Sequence, residues 1–93
     1  MRARHPDPRQ LLEFPCEHEF KAFGRQKFDR RFKDNVCSAI AAIVPVPADS
    51  VRVRTSSRGS YICVSVKVRL LNFEQMKDIY AALRRVKELE YLL

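Results

Sequence analysis

Along residues 14–24, His18, Phe20 and Ala22 alternate with Glu17, Glu19 and Lys21. A two-residue period is that of an extended chain with one face buried, so this segment predicts a first β-strand ending at Gly24. The period then changes. Phe28, Phe32, Val36, Ala39, Ile40 and Ile43 recur three and four apart with charges between them, which is the spacing of an amphipathic helix. Arg25, Gln26 and Lys27 stand at its start, and Pro45 and Pro47 stop it because neither can continue the hydrogen-bonding ladder. Alternation returns in Val51, Val53 and Thr55 with Arg52 and Arg54 between them, and again in Ile62, Val64, Val66, Val68 and Leu70. Ser56, Ser57, Arg58 and Gly59 separate these two runs and have turn chemistry, so the pair predicts a hairpin. Asn72 as N-cap, Gln75 three residues later, and Leu71 with Met76 as a hydrophobic staple open a second helix. Phe73, Met76, Ile79, Tyr80 and Leu83 supply its buried face, and Arg84, Arg85 and Lys87 lie near its C-terminus, where the helix dipole favours cations. Residues 88–92 form a last strand.

The order βαββαβ places the chain in the α+β class as a ferredoxin-like sandwich, a four-stranded antiparallel sheet with two helices on one face. The other face is then open. Strand alternation puts Ile62, Val64, Val66 and Val68 beneath the helices and sends Tyr61, Cys63, Ser65, Lys67 and Arg69 to the opposite side. Arg52 and Arg54 join them, which predicts an uninterrupted basic surface on the hairpin. Residues 1–12, with Pro6 and Pro8 and no periodicity, read as a mobile basic tail. Residues 13–93 read as a single domain.

Composition narrows the function. At 93 residues the chain supports one core, burying roughly 60–65% of its unfolded surface, which argues against a deep, walled active site as well. With 46% hydrophobic residues, two Gly and five Pro, neither disorder nor a low-complexity linker is indicated. The net charge is +7, of which Arg2, Arg4 and Arg9 against Asp7 leave +2 in the tail. Arg52, Arg54, Arg58, Lys67 and Arg69 fall between residues 52 and 69 with no acid among them. Such a balance directs attention to anionic partners. The polar start lacks the apolar core of a secretory signal, and residues 39–46 are too short to span a bilayer, so a cytoplasmic protein without membrane contact is expected. Cys16, Cys37 and Cys63 are an odd number without a C-x-x-C pair, so reduced thiols are expected.

Phe14, Pro15 and Cys16 at the first strand, followed by Val51, Arg54, Ser56, Ser57, Gly59 and Tyr61 around the hairpin, resemble the YbeD family, also called domain of unknown function 493. The resemblance spans residues 12–93 and departs slightly from the family pattern at Glu17 and His18. It implies a small cytosolic bacterial protein with a ferredoxin-like fold likened to the ACT regulatory domains, which bind amino acids beside metabolic enzymes. It implies no activity.

The hairpin carries the candidate site. Arg54, Ser56, Ser57, Arg58 and Tyr61 offer one or two guanidinium groups, loop amides and hydroxyls, the ingredients of an anion-binding concavity. The alternative is that Gly59 merely supplies a positive φ and the serines cap a turn. The segment from Arg58 to Ile62 superficially resembles an RNA-binding strand motif, but the aromatics such a motif needs at its third and fifth positions are replaced by Ser60 and Ile62. Tyr61 alone would give one stacking platform, and Glu17, Glu19, Glu88 and Glu90 would repel phosphate. Those acids could equally balance the basic hairpin as plain scaffold. Cys16 and His18 share a strand face, yet two ligands do not make a metal site, and His18 lacks an identifiable partner. The cationic start of the first helix offers a weaker anion site. The expectation is therefore a non-catalytic regulatory or interaction module without a cofactor or metal, binding a small metabolite or a protein partner and compatible with a homodimer. Nucleic acid binding on the open face is the alternative.

Overall fold

Two ten-residue strands form the middle of the sheet because each carries an unbroken apolar face. In the computed structural model, which describes residues 13–93, β1 (Cys16–Arg25) runs antiparallel to β3 (Tyr61–Leu70), from Cys16 opposite Leu70 to Arg25 opposite Tyr61. The tail expected over residues 1–12 lies outside the described residues. β2 (Val51–Thr55) pairs with the outer side of β3, and β4 (Leu89–Leu92) with the outer side of β1, giving the order β2-β3-β1-β4. Helices α1 (Asp29–Ala41) and α2 (Phe73–Arg84) complete the ferredoxin-like βαββαβ arrangement.

The core lies between helices and sheet. Phe20 and Ala22 from β1 and Ile62, Val64, Val66, Val68 and Leu70 from β3 are all buried, against Phe32, Val36 and Ile40 of α1 and Met76, Ile79 and Leu83 of α2. Full burial of one such large aliphatic or aromatic side chain contributes about 1.5–3 kcal/mol. β1 passes close under α1 at Gly24, where an added Cβ would sit 2.9 Å from the buried Phe32 ring. Gly59 takes φ 74° in the hairpin turn, a conformation that costs glycine nothing.

Several boundaries differ from the sequence expectation, each for a local reason. β1 continues through Arg25, whose backbone is extended, and Gln26 N–H still donates to Ser60 O at 2.9 Å. A single 3₁₀ turn over Gln26–Phe28 follows, so the first α-helix begins at Asp29 and not at the basic Arg25, Gln26 and Lys27. It ends at Ala41, before the prolines, in a tightened turn where Ile43 and Val44 both donate to Ile40 O. That turn buries Val44. Asn72 caps α2 as expected, accepting from Gln75 N–H at 2.9 Å, but the Gln75 side chain reaches back one residue further, to Leu71 N–H at 2.7 Å. Leu71 itself remains 59% exposed, so the expected staple does not bury it. Val53 is on the helix side of β2 yet exposed, because the helices do not cover that edge of the sheet.

Candidate ligand-binding groove on the open sheet face

Strand register turns the open face into cross-strand rows. Arg54, Cys63, Phe23 and Tyr91 form one row, and Arg52, Ser65 and Lys21 form the next, with Leu93 bonded to Lys21 through both backbone groups. Beyond them Lys67 faces Glu19, and Arg69 faces Glu17. Opposite charges directly across a ladder attract. The basic surface is thus not uninterrupted as expected: its far half is matched by acids from β1. Arg54 has a thiol opposite it and Arg52 a hydroxyl, so no acid faces either across β3.

Around these two rows lies a groove of about 460 Å³. Phe23, Cys63 and Ser65 line it, with Arg52, Arg54 and Lys21 at its flanks and Ser56, Ser57 and Tyr61 at the hairpin end. Leu93 and Glu19 also border it. Its floor is apolar and weakly polar: Phe23 and Cys63 are half-buried, and Ser65 is 8% exposed although it points away from the helices. Ser65 is the shortest side chain in its row, between two long cations. Its hydroxyl has the Cys63 thiol as partner, 3.7 Å away. The hairpin end is shaped by its own bonds, with Ser56 N–H donating to Tyr61 O at 2.8 Å and Tyr61 N–H donating to Ser56 Oγ at 3.2 Å.

Of the residues singled out from sequence, Arg54, Ser56, Ser57 and Tyr61 meet at this groove, whereas Arg58, at the exposed tip of the turn, does not line it. Sequence reasoning missed Lys21, Phe23, Arg52, Ser65 and Leu93 as groove residues. Lys21 and Phe23 were legible as members of the outward-facing set of β1, but only the pairing register shows which of them stand beside Arg52 and Arg54.

The remaining candidates resolve into structure. His18, expected to lack a partner, lies on the helix side of β1 and shares a hydrogen bond between Nε2 and the Tyr80 hydroxyl, 3.2 Å apart. Both rings pack edge-on to Phe20, with centroids 4.7 and 4.9 Å away. Burial lowers the His18 pKa, partly opposed by Glu19, and raises that of Tyr80, partly opposed by Arg84. Burial also pushes up the Cys37 thiol. Among the described residues no cluster of three His, Cys, Asp or Glu side chains is placed to hold a metal ion. Glu88, expected on the open face, is instead buried and accepts from Asn35 Nδ2 at 3.0 Å. At the start of α1, Asp29 accepts from Arg30 N–H at 2.6 Å, and Asp29 and Asp34 line the nearby depression beside Lys27, Arg30 and Arg31, so acids stand among the cations there. Arg25 is engaged by Glu90 at 3.8 Å and lies 5.4 Å from the Tyr61 ring centroid. No helix among the described residues is long and apolar enough to cross a membrane.

A family model described as "Protein of unknown function (DUF493)" matches residues 9–93. The chain belongs to the DUF493 family. The resemblance carried by Phe14, Pro15 and Cys16 and by the hairpin residues is thereby borne out. Among its relatives, a UPF0250 protein of Paraburkholderia phymatum is 37% identical over 79 residues, covering 84% of this chain and 86% of its own. A UPF0250 protein of Neisseria meningitidis is 32% identical over 84 residues, covering 89% and 90%. The solution structure of protein HP0495 from H. pylori superposes with a TM-score of 0.67 at 13% identity, over 99% of this chain and 98% of that one. At that identity the likeness concerns the fold alone. That likeness agrees with the observed βαββαβ architecture.

Proposed function

We propose that this DUF493 domain is a non-catalytic regulatory or interaction module of ACT-like architecture that binds an anionic small metabolite at the hairpin end of its open sheet face. One observation carries the reading: the cations of this face are sorted. Lys67 and Arg69 are each faced by an acid, while Arg52, Arg54 and Lys21 border a groove whose acidic member among the described residues is Glu19. Uncompensated like charge on a sheet costs stability, and scaffold needs alone would match these cations as they match the others. The groove's size is that of a small-molecule site, at the low end of the usual 300–1,000 Å³ range. Tyr61 and Arg54 are the principal side chains at the hairpin end, with Ser56 and Ser57 as loop contacts. Arg58 is left as a turn residue.

Nucleic acid binding has one observation in its favour, since Phe23 and Tyr91 stand on the same face as Tyr61. Two facts oppose it. Arg25 stacks over the Tyr61 ring, so the aromatic at the basic loop is already engaged. Glu17 and Glu19 stand on the same face, opposite Arg69 and Lys67, where they repel a phosphate backbone. Salt separates the two readings, because binding driven by phosphates along a strand weakens by orders of magnitude between low and high salt.

The test is a thermal-shift screen against a metabolite library, run in parallel on the wild type and on Arg54→Ala/Tyr61→Ala. Both positions are exposed, so the variant's own Tm is expected to stay close to the wild-type value. An anionic compound that raises Tm in the wild type is expected to lose its effect in the variant. If the variant is itself destabilised and still responds to the compound, these residues are scaffold and the site is wrongly placed.

A further inference from the structure

We infer that the groove takes a small molecule in which an oxyanion, a carboxylate or a phosphate monoester, is joined to a flat ring about 7 Å away. This rests on the reading of the groove as the binding surface and adds the class of ligand. It follows from the contrast between the two neighbouring rows. The Arg52–Ser65–Lys21 row is cation, hydroxyl, cation. Strands lie about 4.8 Å apart, so the two cationic residues stand about 10 Å apart at the backbone with a short side chain between them. Both long basic side chains border the groove beside that short residue, so a single oxyanion seated over Ser65 is within reach of the Arg52 fork, the Lys21 ammonium and the Ser65 hydroxyl.

The next row toward the hairpin, Arg54–Cys63–Phe23, is different. Its floor is a half-buried thiol and a half-buried aromatic ring, which satisfy no hydrogen bonds of a ligand but remove apolar surface from water. A guanidinium at one end and a phenyl ring at the other are both surfaces on which a planar group stacks. Rows on the same face are two residues apart, hence the separation of about 7 Å between charge and ring. Glu19 fixes the polarity of the arrangement. It borders the groove on the side away from the hairpin, so an anion is held back between Arg52 and Lys21, short of Lys67. Arg52 also borders the adjacent depression, whose mixed charges, Glu17, Glu19 and Asp49 with Lys67 and Arg69, offer no comparable excess of cations.

Four probes separate charge from ring on the full chain by calorimetry and amide NMR: adenosine 5′-monophosphate, 3-phenylpropionate, inorganic phosphate and uncharged adenosine. At least one of the first two is expected to bind about tenfold or more tightly than both phosphate and adenosine, moving the amides of Lys21, Arg52, Cys63 and Ser65. Which of the two binds decides between phosphate monoester and carboxylate. Arg52→Ala and Lys21→Ala are each expected to weaken that binding about tenfold, and Ser65→Ala by a smaller factor, at unchanged circular dichroism. Bound ligand is also expected to slow modification of Cys63 by a thiol reagent while leaving Cys37 as fast as before. The inference is overturned if neither ring-bearing anion binds, if phosphate or adenosine binds as well as they do, or if the shifts fall elsewhere. A Glu-rich peptide included as a fifth probe tells the two failures apart. If it alone shifts Arg52 and Arg54, the ligand class is wrong and the surface stands; if no probe does, both readings fall.

Discussion

His18 shows what one residue means once its neighbours are known. On sequence it was a strand residue sharing a face with Cys16 and without an identifiable partner; in the fold it is a half-buried ring between Phe20 and Tyr80. Desolvation lowers its pKa in the folded state, with the Glu19 carboxylate opposing the shift and the Tyr80 hydroxyl bonded to Nε2. The native state therefore binds fewer protons than the unfolded chain once the pH drops below the unfolded value of about 6.5. Stability is complete above that value and falls as pH decreases from it toward the lowered folded pKa. Melting temperature measured between pH 7.5 and 5 is expected to decline in the wild type and to decline less in His18→Gln. An equal decline in both would place the titrating group elsewhere. At this scale Val64 beneath the helices and Tyr61 outside were legible, because alternation decides the face of a strand residue. The burial of Ser65 was not, because it depends on the length of its cross-strand neighbours.

Helix and strand interiors follow from periodicity, and their ends from the chemistry of single backbone groups. α2 was readable at its start because Asn72 offers an acceptor where the first turn has free N–H groups. Asn72→Ala is expected to cost about 0.5–2 kcal/mol in urea unfolding with an unchanged slope, and Asn72→Ser to restore most of it. No loss in the alanine variant would mean that the Gln75 contact to Leu71 N–H holds the turn by itself. α1 was misread at its start because Arg25 is held in the sheet by a contact to the far hairpin, Gln26 N–H to Ser60 O, which no local pattern encodes. For the same reason β4 was read one residue too long. Glu88 looks like an alternating strand residue but is drawn inward by Asn35, more than fifty positions away in the chain.

Across the whole molecule, the ferredoxin-like arrangement was legible from element order, and the DUF493 match agrees with it. The candidate site was legible only in part. Its hairpin residues lie together in sequence, while Lys21, Phe23 and Leu93 come to the groove through pairing between β1, β3 and β4. That pairing also sorts the charge: what sequence showed as one basic run is divided by register into a matched half and an unmatched half. The sorting is the reason to assign the groove a role, and it is open to direct measurement. Inorganic phosphate titrated at low ionic strength and followed by amide NMR reports where on the face an anion settles. The expected result is a set of saturating shifts centred on Lys21, Arg52, Arg54 and Ser65, with Lys67 and Arg69 little changed. Shifts of equal size at Lys67 and Arg69, or weak unsaturable shifts at every basic residue, would mean that the face attracts anions by net charge alone and that the groove is not a site.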